Sequence, residues 1–282
     1  MIMFILFYLL VFLFGAAIGS FLGVIVDRIK SGEPIWQGRS HCDHCRHTLH
    51  VLDLIPIISF LALGRKCRYC HKPLSWFYPL IEIVTGASFV IAAYTILHES
   101  WILIVQLHYI LLLLYFFALI SSLIAIFFTD LRYGIIPFKL VGFSVAITVI
   151  WYLLLPSLYF TPLEMQLFGL QTNILTVLAS AFGAAAFFFL LFVITKGRGM
   201  GFGDVVYAFL MGFVLGFPNV LLGLYIAFIA GAIVSLLLVA LKKKRLHGGT
   251  IPFGPFLVLG TIIGLLWGNT LTSYVLTLLH VY

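Results

Sequence analysis

The sequence predicts an all-α polytopic membrane protein with about eight transmembrane helices and one small loop domain outside the membrane. Composition is the first reason. Of 282 residues, 63% are hydrophobic and 9% are charged, with a mean hydropathy of +1.20. A soluble domain carries about a quarter charged residues. The second reason is length: apolar runs of about 20 residues, enough to cross a bilayer core, recur along the chain. The third is charge placement. Once the runs are threaded through a bilayer with the N-terminus outside, every Lys and Arg falls on the cytoplasmic face, as the positive-inside bias requires. That bias accounts for the net charge of +7 without a nucleic-acid partner.

The runs cover about 2–26, 79–97, 103–127, 137–155, 174–195, 201–217, 220–241 and 251–278. Ile2 to Val26 has no basic region before it and no small-residue cleavage site, so it reads as a retained helix rather than a cleaved signal. Gly15, Gly19 and Gly23 form a small-residue face on it, suited to close helix packing. Asp27 and Arg28 follow, and a local ion pair is the simplest reading. The sixth run is short and ends at Pro218-Asn219. It is kept because basic clusters on one face, at Lys196/Arg198 and Lys242–Arg245, require an even number of crossings between them. Glu99 and Glu164 fall in the opposite loops. The organisation expected is a first helix at 1–27, a loop domain at 28–78 and a membrane domain at 79–282.

The 28–78 loop is too small to stand on a hydrophobic core alone. It contains Cys42-Asp43-His44-Cys45 and Cys67-Arg68-Tyr69-Cys70, which hold all four cysteines of the chain. Two C-x-x-C knuckles suit tetrahedral thiolate coordination of Zn²⁺. Four protein ligands leave no open position, so the zinc is structural. Disulfides do not suit a reducing cytoplasmic loop. Cys67 to His71 also matches a haem-attachment pattern, but Cys45 has no following His. His41, His44, His47, His50 and His71 crowd the same loop and read as surface residues or spare ligands. Between the knuckles, Asp53 to Phe60 is apolar for a soluble loop and is expected to lie along the membrane face. Glu82, one turn into the second run, reads as a helix N-terminal charge or part of a site.

Two further acids stand at helix ends on the cytoplasmic side. Asp130 closes the third run, and Asp204 ends Gly197-Arg198-Gly199-Met200-Gly201-Phe202-Gly203-Asp204 at the start of the sixth. Locally that stretch is either a glycine turn whose Asp caps the next helix or part of a site. It lacks the Lys-Ser/Thr of a phosphate loop, and no strand precedes it to make a dinucleotide fingerprint. Two carboxylates at equal depth suit an aspartic peptidase, where like charges make the pair share one proton. One acid then activates water while the other, protonated, polarises the peptide carbonyl. Gly201 and Gly203 would let substrate backbone approach.

Taken in order, these segments resemble the bacterial prepilin peptidases, the type IV leader peptidase family of GxGD membrane aspartyl proteases. The likeness rests on Gly19-Ser20-Phe21-Leu22, the two knuckles flanking Ile55 to Ser59, Leu80-Ile81-Glu82, Asp130 with Ile136-Pro137, Gly199 to Asp204, and Ile251 to Phe256. It implies catalytic roles for Asp130 and Asp204. It also implies the partners: prepilins or pseudopilins in the bilayer, cut after a glycine at the cytoplasmic face of the bacterial plasma membrane. Many members also methylate the new N-terminus with S-adenosylmethionine, although no donor-binding motif is recognisable here. Gly23, Asp53-Leu54 and Phe138 depart from common family residues and resemble Gram-positive competence-type members. Two other classes use the same features. A transporter or proton relay would keep its acids near the midplane, and a zinc-organised adaptor would tolerate loss of either aspartate.

Overall fold

A computed structural model describes residues 2–34, 38–42, 44–97, 107–154, 173–241 and 251–278. Glu99, Glu164, the Lys242–Arg245 cluster and His280 lie outside the described residues. The eight apolar runs are eight helices: α1 (Ile2–Ser31), α3 (Phe77–Leu97), α4 (Leu107–Tyr133), α5 (Phe138–Leu154), α6 (Ile174–Ile194), α7 (Phe202–Leu215), α8 (Asn219–Ala240) and α9 (Gly254–Leu278). A short α2 (Ile58–Ala62) lies in the loop between α1 and α3. Six of the eight are long and apolar enough to cross a membrane, while α5 and α7 are shorter. The chain is a multi-pass helical membrane protein.

Helices overrun the apolar runs where polar residues continue them. α1 carries Arg28 and Lys30 in its last turn, and α4 runs past Asp130 to Tyr133. An apolar run ends where the hydrocarbon ends, but a helix ends only where its backbone finds another partner. α7 is shorter than its run. Its 14 residues span about 21 Å, less than a hydrocarbon core. Ten of them are buried by other helices, so they do not face lipid and need not match its thickness.

Contacts divide the chain into two compact units, Met1–Phe128 and Thr129–Tyr282. In the first, α1 packs antiparallel on α3 through glycine. A Cβ added at Gly15 would lie 2.8 Å from Gly86 Cα, and one at Gly19 would lie 2.7 Å from Glu82 Cα. Gly23 has ordinary room, 3.5 Å from the Tyr78 ring. Tyr78 donates its hydroxyl to Asp27 Oδ2 at 2.9 Å, and Phe89 stacks on Phe117 of α4 with centroids 4.1 Å apart. Arg28 is buried and donates to the Pro34 and Gly38 carbonyls, both at 3.1 Å.

In the second unit α7 is enclosed. A Cβ at Gly212 would meet the Ser180 carbonyl of α6. α8 and α9 approach so closely that a Cβ at Gly260 would meet the Gly223 carbonyl. Several buried polar side chains inside this unit are paired. Tyr207 donates to Thr261 Oγ1 at 2.9 Å. Asn219 donates to Asn269 Oδ1 at 2.7 Å and accepts from Thr272 at 3.0 Å.

Candidate active site and metal centre

Three helix ends of the second unit meet at the two aspartates. Asp130 sits three residues before the end of α4, and Asp204 is the third residue of α7. Both are buried. The cap of α7 is Gly201, in extended conformation with no side chain to offer. Asp204 supplies the missing acceptor: its Oδ2 takes the Gly201 N–H at 3.0 Å. Asp204 thus takes part in capping α7.

Asp130 is held differently. Its Oδ2 is enclosed and takes no well-formed hydrogen bond among the described residues. The first residue of α9, Gly254, lies against it: a Cβ there would be 2.5 Å from Oδ2 and 3.0 Å from Cγ. Ile136, on the turn after α4, joins the three ends. It would lie 3.1 Å from a Cβ at Gly203 and 3.2 Å from one at Gly254. Asp130 lies within reach of the Asp204 charge. Gly254 is the contact that reading along the chain missed. Its signal in the sequence is the Pro252-Phe253-Gly254-Pro255 break, which names no neighbour.

The four cysteines converge in the first unit. Their sulfurs all lie within 4.8 Å of one another, with Cys42 Sγ 3.9 Å from Cys70 Sγ. Tetrahedral bonds of about 2.3 Å place thiolates about 3.8 Å apart, so the cluster fits a zinc-sized ion. The two knuckles repeat one backbone plan. Cys42 N–H donates to the His47 carbonyl, and Cys67 N–H to the Lys72 carbonyl. Arg46 N–H returns to the Cys42 carbonyl, and His71 N–H to the Cys67 carbonyl. The residue after each second cysteine has positive φ, +58° at Arg46 and +56° at His71. Burial pushes the Cys67 thiol up, but N–H groups of Cys70 and Tyr69 and the neighbouring thiols outweigh it and bring it down to about 7. At Cys70 the backbone hydrogen bond from Lys72 lowers the thiol, but burial and the hydrogen bonds shared with the other three thiols push it up to about 11.

Asp53 latches one knuckle to the other. It accepts from Arg68 Nε at 2.7 Å, Tyr69 Oη at 3.1 Å and His50 N–H at 3.1 Å. Burial raises its carboxyl, but these donors hold it below the usual carboxylate range. His47 lies on the Tyr69 ring at 3.7 Å, a packing role. Glu82 is not a first-turn charge. α3 starts at Phe77, so Glu82 lies beyond its first turn. It is buried, hydrogen-bonds Ser20, and its Oε2 accepts the Ile57 N–H at 2.7 Å.

Two family models match successive parts of the chain. Residues 13–96 match the Bacterial Peptidase A24 N-terminal domain, and residues 117–236 match the Type IV leader peptidase family. A prepilin leader peptidase/N-methyltransferase of Aeromonas hydrophila is 30% identical over 96% of this chain and 94% of its own length. The protein of that name from Bacillus subtilis strain 168 is 30% identical over 94% and 96%. The one from Pseudomonas aeruginosa strain PAO1 is 28% identical over 94% and 92%. No solved structure matches the chain. With two family domains in order and relatives this similar from end to end, the chain belongs to the type IV leader peptidase family.

Proposed function

We propose that this protein is an aspartic endopeptidase of the bacterial plasma membrane. It removes the basic leader from type IV prepilins or pseudopilins at the cytoplasmic face, with Asp130 and Asp204 as its catalytic pair. The observation that supports this is the pair of buried carboxylates at the ends of α4 and α7, Asp130 within reach of the Asp204 charge. The pair shares a proton. The ionised acid takes a proton from water, whose oxygen bonds to the scissile carbonyl carbon, while the protonated acid hydrogen-bonds the carbonyl oxygen. Collapse breaks the C–N bond, and the amine leaves with a proton returned by the pair. Gly201 adds no side chain beside Asp204 Oδ2, where a Cβ would stand 3.5 Å away.

Orientation follows the positive-inside bias: N-terminus outside, cysteine loop and aspartates cytoplasmic. Cys42, Cys45, Cys67 and Cys70 would hold a structural Zn²⁺, supplying a crosslink and no chemistry. The relatives' shared name supports a second activity, N-methylation of the new N-terminus with S-adenosylmethionine as donor. A proton relay is not favoured, because both acids sit at helix ends. The test is cleavage of a prepilin-like peptide by purified protein, with Asp130→Asn and Asp204→Asn alongside. Loss in both variants is expected, and full cleavage by either sinks the two-aspartate mechanism. Labelled methyl donor, offered with the cleaved product, reads the second activity separately.

A further inference from the structure

The loop between α1 and α3 carries an apolar surface that no part of the described chain covers. Leu52 is 63% exposed, Ile58 59%, Leu61 62% and Trp76 56%. The acid within this stretch, Asp53, is turned away and tied to Arg68, Tyr69 and the His50 backbone.

The structure also fixes how deep this surface lies. Tyr78 and Asp27 are hydrogen-bonded, which sets the register of α3 on α1. Glu82 lies four residues further along α3, about 6 Å toward the helix interior. Ser20 lies seven residues back along α1 from Asp27, about 10 Å in the same direction. Ile57 is bonded to Glu82, which also bonds Ser20. It is therefore held on the membrane side of Arg28 and Lys30, the basic residues of the last turn of α1. Such residues mark the headgroup level. The hold is specific, because Ile57 has φ +62°, a costly conformation for a β-branched residue unless its surroundings impose it. Charge complements the placement. Arg65 lies over the Trp76 ring at 4.7 Å, Trp76 packs on Phe60 at 5.1 Å, and Arg65 and Lys66 are exposed. An indole beside cations at the edge of an apolar surface is the chemistry of a headgroup boundary.

We infer that residues 51–62, with Trp76, form a re-entrant segment embedded in the leaflet on the loop's side. Leu52, Ile58 and Leu61 lie among acyl chains, and Arg65 and Lys66 lie on anionic phospholipid headgroups. The Cys67–Cys70 knuckle follows directly, and the Asp53 latch ties the other knuckle to it, so the cysteine cluster rides on the bilayer surface. This rests on the membrane embedding of the helices and not on the proposed chemistry.

The test uses the full chain in nanodiscs of phosphatidylcholine and phosphatidylglycerol. A photo-crosslinking benzoylphenylalanine replaces Leu52, Ile58 or Leu61 in turn, and adducts are identified by mass spectrometry. Leu221, exposed on α8, is the lipid-facing control. Arg46 and Lys72, exposed on the loop, are the water-facing controls. Lipid adducts at 52, 58, 61 and 221, and none at 46 or 72, are expected. The adducts at 52 and 61 should fall when phosphatidylglycerol is omitted or when Arg65→Gln and Lys66→Gln are combined. No lipid adduct at 52, 58 and 61 while 221 labels overturns the inference. So does crosslinking of those positions to a second copy or to a prepilin peptide in place of lipid. Helical content measured on each variant confirms that it is folded, and peptide cleavage by the same samples tests the proposed function independently.

Discussion

Gly254→Ala probes the aspartate pair without touching a carboxylate. The added methyl would sit 2.5 Å from Asp130 Oδ2, where ordinary contact begins at 3.4 Å. The acid or the start of α9 must therefore give by about 0.9 Å. Ile136 Cδ1 lies 3.2 Å from the same methyl and must give by a few tenths of an ångström as well. Misplacement of a reacting group by about 1 Å costs on the order of 100-fold in rate. Overpacking of a tight site costs about 1–3 kcal/mol of stability. The assay is the initial rate of prepilin-like peptide cleavage in detergent micelles, with thermal unfolding of the same sample. Gly203→Ala is the first control, because its methyl would press on Ile136 at 3.1 Å and no carboxylate oxygen is among its nearest neighbours. Gly142→Ala is the second. It has open space within 4 Å and lies in α5, so it should gain about 1 kcal/mol from helix propensity and cleave normally. The expected order of cleavage is Gly142→Ala, then Gly203→Ala, then Gly254→Ala about 100-fold below the first. A Gly254→Ala protein that cleaves within threefold of the parent, with unchanged unfolding, would refute the contact as a determinant of Asp130 geometry.

Asp204→Asn keeps an oxygen for the Gly201 N–H, so cleavage should be lost while unfolding moves little; Asp204→Ala should lose cleavage and also about 1 kcal/mol from the vacated cap. Arg46→Gly and His71→Gly relieve left-handed backbone at the two knuckles and should each stabilise the loop by about 1 kcal/mol, read as slower metal release to a chelator. Gly212→Ala forces a methyl into the Ser180 carbonyl and to 2.7 Å from Ala181 Cα, so α6 and α7 should part at a cost of about 1–3 kcal/mol, measured by thermal unfolding.

What was legible in the sequence is what local chemistry determines. Hydrophobic length is read residue by residue, so eight runs became eight helices. The paired C-x-x-C spacing fixed which sulfurs could meet. Helix ends were less legible, because α1 and α4 continue through Arg28 and Asp130 on backbone hydrogen bonds that hydropathy does not register. Long-range partners were not legible. Nothing near Glu82 names Ile57 or Ser20, and nothing near Gly254 names Asp130. Arg46 and His71 were hidden for another reason: glycine is the usual mark of positive φ, and neither residue is glycine. Asp204 was legible but ambiguous, since an acid three residues into a helix behind a glycine serves a cap and a site equally.

The surroundings of the aspartates explain how two acids can be buried at one place. A charge away from water needs compensation, and among the described residues neither Asp130 nor Asp204 is in an ion pair. Helix ends supply part of it. Asp204 caps α7, and Asp130 lies against the first residue of α9, so each acid meets the positive end of a helix dipole, worth about 0.3–1 kcal/mol apiece. Glycine is what allows that. A side chain at 254 would hold α9 away from Asp130, and one at 203 would press on Ile136, the residue that joins the helix ends. The proline-flanked Gly254 and the glycines before Asp204 therefore serve one requirement from two sides: bare backbone brought to the acids, with partial charge in place of a counter-ion. An Arg or Lys there would neutralise the pair more fully. It would also hold both carboxylates ionised, which a mechanism that shares one proton between them cannot use.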